Sequence, residues 1–305
     1  LDAARRYGKI APDAPHALHM PSHVFTRVGA WKESVEANRA SSRVDAGKSL
    51  NTWHAYDYMV YAHLQLGQDG AARQVVAEAQ NSPARHDHPA TAYAYAAMPA
   101  RLALERGDWK DAADLPLHPA ADSFPWKKYT FAEAINAYAR GIGAAMSGDA
   151  AAARTQVARL QTLRDATKVP YWAQEIDVQS AVVSGLALCA EGKRGACLEG
   201  LRAAADREDA SEKHVVTPGR LLPAREVLAY ATLDAGEPAV ALREFETVLE
   251  RDPNRLRTFA GAARAAQALG NASKAAEYSS RLVELTADAD TQSSEIAYAK
   301  QILGR

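Results

Sequence analysis

Along its whole length the chain alternates apolar runs of helical period with short breaks that carry glycine. Apolar residues recur every three or four positions, and β-branched alternation never persists long enough to predict a strand. Aligned on a glycine, the segments VGAWKESVEANRAS, LGQDGAARQVVAEA, RGDWKDAADL, SGDAAAARTQVARL, EGKRGACLEGLRAA, AGEPAVALREFETVL and LGNASKAAEYSSRL form one series. Their glycines are Gly29, Gly67, Gly107, Gly148, Gly192, Gly236 and Gly270, spaced 38, 40, 41, 44, 44 and 34 residues apart. Each follows one amphipathic run and precedes another, so the repeating unit is helix, glycine turn, helix.

The sixth unit shows the pattern most fully. Gly236, Ala241, Phe245, Val248 and Pro253 supply a turn glycine, a small residue, an aromatic, an apolar residue and a closing proline. Small residues let paired helices approach, the aromatic fills the gap to the next unit, and glycine accepts a left-handed turn. This resembles the tetratricopeptide repeat family, and the resemblance extends over nearly the whole chain. It implies an all-α fold, a right-handed α-solenoid of about seven units forming one domain over residues 1–305. Residues 1–12 read as the second helix of a further unit whose first half is absent.

Two connections are longer than the repeat needs. Leu115–Lys127 has three prolines and cuts short the second helix of the third unit; Ala205–Leu222 is polar and then extended toward Pro218 and Gly219. Insertions in a solenoid tend to fall on one face, often the binding face.

Composition removes several function classes. The apolar and charged fractions, 48% and 24%, are those of an ordinary globular protein, and the net charge of −1 offers no field for nucleic acid. The longest near-apolar run, Ala181–Ala190, is far short of a membrane span. No phosphate loop, dinucleotide fingerprint or nucleophile elbow is present. Cys189 and Cys197 fall where helices want small apolar residues, which predicts buried free thiols. The expected location is cytoplasmic, with export left open because the chain starts at Leu1 and mid-pattern.

Histidine changes this picture. Five of nine histidines lie in the first 63 residues, three of them in PHALHMPSHVFTR. With each turn glycine numbered 15, positions 2, 5, 9 and 12 form a stripe about 130° from the core stripe. In tetratricopeptide proteins that stripe lines the concave groove. It holds His16, His19 and His23 in the first unit and His54, Asp57 and Tyr61 in the second, whereas His63 falls on the core side. Pro21 should kink or restart the first helix between His19 and His23.

Imidazoles on adjacent groove stripes suit zinc, copper or iron. Three of them with a spare position resemble a catalytic metal site, with Asp57 as a fourth ligand, orienter or base and Tyr61 as an assisting group. A carboxylate or phosphate site and a packed structural cluster are the alternatives. The stretch PHALHMPSHVFTRVGAW is also similar to long bacterial tetratricopeptide proteins with an HxxHMPxH signature, which implies a fold and a site but no reaction. Further along, the stripe offers Arg101, Glu226, Tyr230, Arg257 and Arg264, pointing to a groove for a peptide or small molecule. Between them Ile135, Tyr138, Ile142, Val182 and Leu186 are apolar, and Leu115–Lys127 is the candidate cover. Three functions follow from these residues: a ligand-binding solenoid, a metal-dependent enzyme, or an assembly scaffold without a site.

Overall fold

All seven glycines expected at turns adopt positive φ, between 68° and 85°. Each separates two helices that pack against one another, and the pairs stack in order. The computed structural model describes residues 1–83, 86–291 and 293–305, with no strand among them. In chain order the helices are α1 (Asp2–Tyr7), α2 (Pro15–His19), α3 (Pro21–Arg27), α4 (Trp31–Asp45), α5 (Leu50–Gln65) and α6 (Asp69–Asn81). They continue with α7 (Pro89–Arg106), α8 (Trp109–Ala113), α9 (Thr130–Met146), α10 (Ala150–Ala166), α11 (Pro170–Ala190) and α12 (Arg194–Asp209). The last are α13 (Ala224–Asp234), α14 (Pro238–Arg251), α15 (Leu256–Ala268), α16 (Ala272–Leu285) and α17 (Ser294–Ile302). None is long and apolar enough to cross a membrane.

The sequence pattern accounts for the packing. In the sixth unit Ala241 and Phe245 are fully buried, and the Phe245 ring lies against Gly261 of α15, where a Cβ would stand 2.2 Å from the ring. The aromatic fills the gap to the following unit, as expected. The third unit's second helix is indeed short: α8 has five residues, and its backbone rests on Gly143 of α9.

First helices of successive units touch in the order α5, α7, α9, α11, α13 and α15, and α15 returns to α5. The solenoid therefore closes on itself. At the seam, Trp31 Nε1 donates to the Asn254 carbonyl at 2.7 Å, and Asn254 Nδ2 donates to the Gly29 carbonyl at 3.2 Å. Gly29 could carry no side chain there, since a Cβ would meet the Pro253 oxygen at 2.4 Å. The Asp290 carboxylate accepts from Gly70 and Ala71 N–H at 3.0 and 2.9 Å, an anion at the N-terminus of α6. Arg255, fully buried, donates from Nη1 to Tyr61 Oη at 2.7 Å, from Nη2 to Glu105 at 2.9 Å and from Nε to Glu226 at 3.0 Å. One guanidinium thus joins α5, α7 and α13 to the start of α15.

Closure leaves an interior, and the chain fills part of it. Helix α12 runs on to Asp209, so the Ala205–Leu222 connection is irregular only from residue 210. Inside the ring, Tyr58 Oη donates to the Val216 carbonyl at 3.2 Å. Arg101 donates to the Gly219 and Arg220 carbonyls at 2.6 and 2.9 Å, and Tyr138 Oη to that of Leu222 at 3.3 Å. This segment, rather than Leu115–Lys127, covers Ile135 and Tyr138. Phe124 and Trp126 instead pack with Tyr95 and Tyr129. The cysteines are not the free thiols expected from their positions. Cys189 and Cys197 are joined by a disulfide across the α11–α12 turn, because a tight helical hairpin brings their Cα atoms to 5.2 Å.

Replacing Arg255 with Met should leave Glu105 and Glu226 buried without their shared cation, a class of change that costs about 3–5 kcal/mol. Denaturant unfolding of the variant should show that loss; a stability within about 1 kcal/mol of the parent would place the closing force elsewhere.

Candidate metal centre

Pro21 breaks the first helix of the first unit in two. Met20 keeps helical angles, φ −51° and ψ −38°, so α3 restarts at once and His19 and His23 remain one turn apart. Ser41 Oγ of α4 donates to the Pro15 carbonyl at 2.7 Å and ties down the start of α2. His54 lies one turn into α5, the helix packed against both α2 and α3.

The ring centroid of His19 lies 4.8 Å from that of His23 and 4.4 Å from that of His54. One ligand atom from each of these three imidazoles falls within 4.8 Å of the other two. His19 and His54 are buried and His23 half-buried. His16 is exposed, with its ring 6.4 Å from His19, outside this group.

The hydrogen-bond network favours one set of ring protons. Asn38 donates its amide to the Ser34 carbonyl at 2.7 Å, so its Oδ1 accepts, and the donor 2.6 Å away is His19 Nδ1. On the second ring, Tyr58 Oη has its proton on the Val216 carbonyl and accepts from His23 Nδ1 at 3.1 Å. With both rings protonated at Nδ1, the two Nε2 atoms face each other at 2.8 Å with lone pairs. Two lone pairs at that distance repel unless a cation lies between them. Turning the Tyr58 proton onto His23 Nδ1 would allow a shared proton instead, at the cost of the Val216 bond.

The imidazoles are held neutral. Burial pushes His19 down to about 3, with His23 adding to the effect and Asn38 opposing it. His23 falls to about 4 through burial and the neighbouring Lys213. His54 lies well below the ordinary histidine value, again through burial first and then His19. Neutral rings are the form that coordinates metals.

Other expected site residues are placed elsewhere. Asp57 does not join the imidazoles, because its buried carboxylate accepts from Arg101 Nε at 3.0 Å. Tyr61 is buried between two guanidinium groups, 4.7 Å from Arg101 and 5.8 Å from Arg255. Neither is available for a catalytic role at the histidines. Arg101 is not an open groove residue, since it braces the inserted segment. Arg264 lies over the Tyr298 ring at 5.3 Å, whereas Glu226, Tyr230 and Arg257 do line one cavity. His63 is buried and bonded to Gln68 at 2.7 Å, in keeping with the core position expected for it.

Asn38, Tyr58 and Val216 were not legible as site residues. One signal is present: α4 buries Ser34, Asn38, Ser41, Ser42 and Asp45, a polar stripe on a face where the other second helices bury mainly apolar residues.

No family model matches this chain, and no curated protein matches it. Among solved structures it is similar to a tetratricopeptide repeat protein from Parabacteroides merdae, with a TM-score of 0.47, 11% identity, and coverage of 95% of this chain and 99% of the other.

With the folded values of all three histidines depressed, the unfolded chain binds more protons in acid. Their contribution is complete above about pH 6.5 and is lost as pH falls toward their folded values. In the presence of a chelator, stability should therefore decline from pH 6.5 to 4, with His19 alone accounting for on the order of 2–3 kcal/mol. Urea midpoints across that range should show a shallower decline for His19→Gln; parallel curves would refute the assignment.

Proposed function

We propose that this protein binds a transition-metal ion through His19, His23 and His54 on the inner face of its closed solenoid. The observation that carries this reading is the convergence of three neutral imidazoles, each with a ligand atom within 4.8 Å of the other two. Asn38 and Tyr58 play the part that outer partners play around metal-bound histidines, holding tautomer and orientation. Nitrogen ligands at about 2.0–2.1 Å in a tetrahedral site stand about 3.3 Å apart, so His19 and His23 need to part by only about half an ångström. An all-imidazole set suits zinc, copper or iron. The anion reading is weaker, since neutral rings offer no charge to a phosphate or carboxylate.

Three protein ligands leave a position for water or substrate, the arrangement of catalytic rather than structural zinc. A metal-dependent enzyme is therefore the second reading; a bound ion there would polarise a carbonyl or lower the pKa of a water. The inserted segment argues against a long peptide along the inner face, because residues 215–222 already occupy its middle. The Cys189–Cys197 bridge favours an oxidising compartment over the cytoplasm expected from sequence.

Elemental analysis of protein purified without a histidine tag, or reconstituted with zinc, should find about one equivalent per chain. The His19→Ala, His23→Ala double variant should lose it and Asp57→Asn should keep it. Metal-free protein after reconstitution, or metal retained by the double variant, would overturn the proposal.

A further inference from the structure

A cavity lies among α8, α9, α11, α13 and α15, bordered by Leu222 at the end of the inserted segment. Its volume is about 280 Å³, and its walls are mainly apolar, including Trp109, Ile142, Met146, Leu186 and Val227. Set into this lining is Arg257, only 8% exposed. Its Nε donates to Glu226 Oε1 at 3.3 Å, but among the described residues Nη1 and Nη2 have no acceptor. The guanidinium is held between two aromatic rings, 4.9 Å from the Tyr230 centroid and 5.6 Å from that of Trp109. Tyr230 Oη donates to the Arg257 carbonyl at 2.6 Å and steadies the same turn.

Glu226 does not answer the two outer nitrogens. Its oxygens already accept from Arg255 Nε and Nη2 at 3.0 and 3.3 Å and from Thr258. Burial alone would raise the Glu226 carboxyl, and Arg255 and Arg257 more than offset that, holding it ionised as a partner of the network. A nearly buried guanidinium whose two outer nitrogens have no acceptor among the described residues, set in a mainly apolar space, asks for an acceptor with two oxygens. The lining also includes Arg194, Asp234 and Glu226, and the remaining wall is mainly hydrocarbon, which suits a singly charged and largely apolar ligand.

We propose that this cavity binds a small amphipathic carboxylate, its head on the outer nitrogens of Arg257 and its apolar body along Ile142, Met146, Leu186 and Val227. At the packing density of protein interiors the space holds roughly ten non-hydrogen atoms, the size of a medium-chain or simple aromatic acid. The site stands apart from the histidines and does not depend on a metal.

Titration calorimetry with octanoate and octylamine tests the idea. Octanoate should bind, and octylamine, which offers Arg257 only a like charge, should not. Arg257→Gln should weaken octanoate at least roughly tenfold. If that variant folds poorly, Ala231→Phe serves in its place: it fills the cavity from the half-buried face of α13 and leaves the Arg257 network untouched, so it should abolish binding. His19→Ala should leave binding unchanged. Absence of octanoate binding up to roughly millimolar concentration, equal binding of octylamine, or binding that survives Ala231→Phe would each overturn the proposal.

Discussion

Arg255 is the point on which the architecture turns. Its guanidinium is fully buried, yet it reaches Tyr61, Glu105 and Glu226, three residues from three helices that lie far apart in sequence. A cation placed in that environment without partners would be untenable, so the three must arrive together. Their arrival is what converts an open spiral into a ring. The contacts around it, Trp31 on Asn254 and Asp290 on the start of α6, are individually modest and gain their geometry from the same closure.

Closure has a chemical consequence. The inner faces of the helices no longer form an open groove; they enclose a space that the chain partly occupies itself. The segment from residue 210 to 222 crosses it, fastened by Arg101, Tyr58 and Tyr138 through carbonyl acceptors. Val216 of this segment accepts from Tyr58, which is bonded to His23, and Leu222 at its end lines the apolar cavity with Arg257. The inserted connection therefore touches both candidate sites.

The charged residues of the inner stripe show why such a reading needs the whole ring. Arg101, Asp57, Glu226 and Arg257 all fall on the inward stripe, which their spacing in the repeat predicts. Spacing does not say which of them satisfy each other. Asp57 and Arg101 pair, and Glu226 is shared among Arg255, Arg257 and Thr258. Among the described residues, the outer nitrogens of Arg257 are left without an acceptor. A buried charge is a binding group or a brace according to its neighbours, and those neighbours come from other units.

The sequence by itself determined the helices, their seven glycine turns and the stripe that carries His19, His23 and His54. These follow from local rules: helical period, the backbone freedom of glycine, and the angle between successive residues on a helix. Histidines one turn apart on one helix stay together whatever the rest of the chain does. Only the tertiary structure decided that His16 stands aside, that Asp57 belongs to Arg101, that Cys189 meets Cys197, and that Asn38 and Tyr58 orient the imidazoles. Each depends on distances between units set by the curvature of the stack and by its closure at Arg255. That curvature is a sum of small packing offsets, which no single stretch of sequence displays.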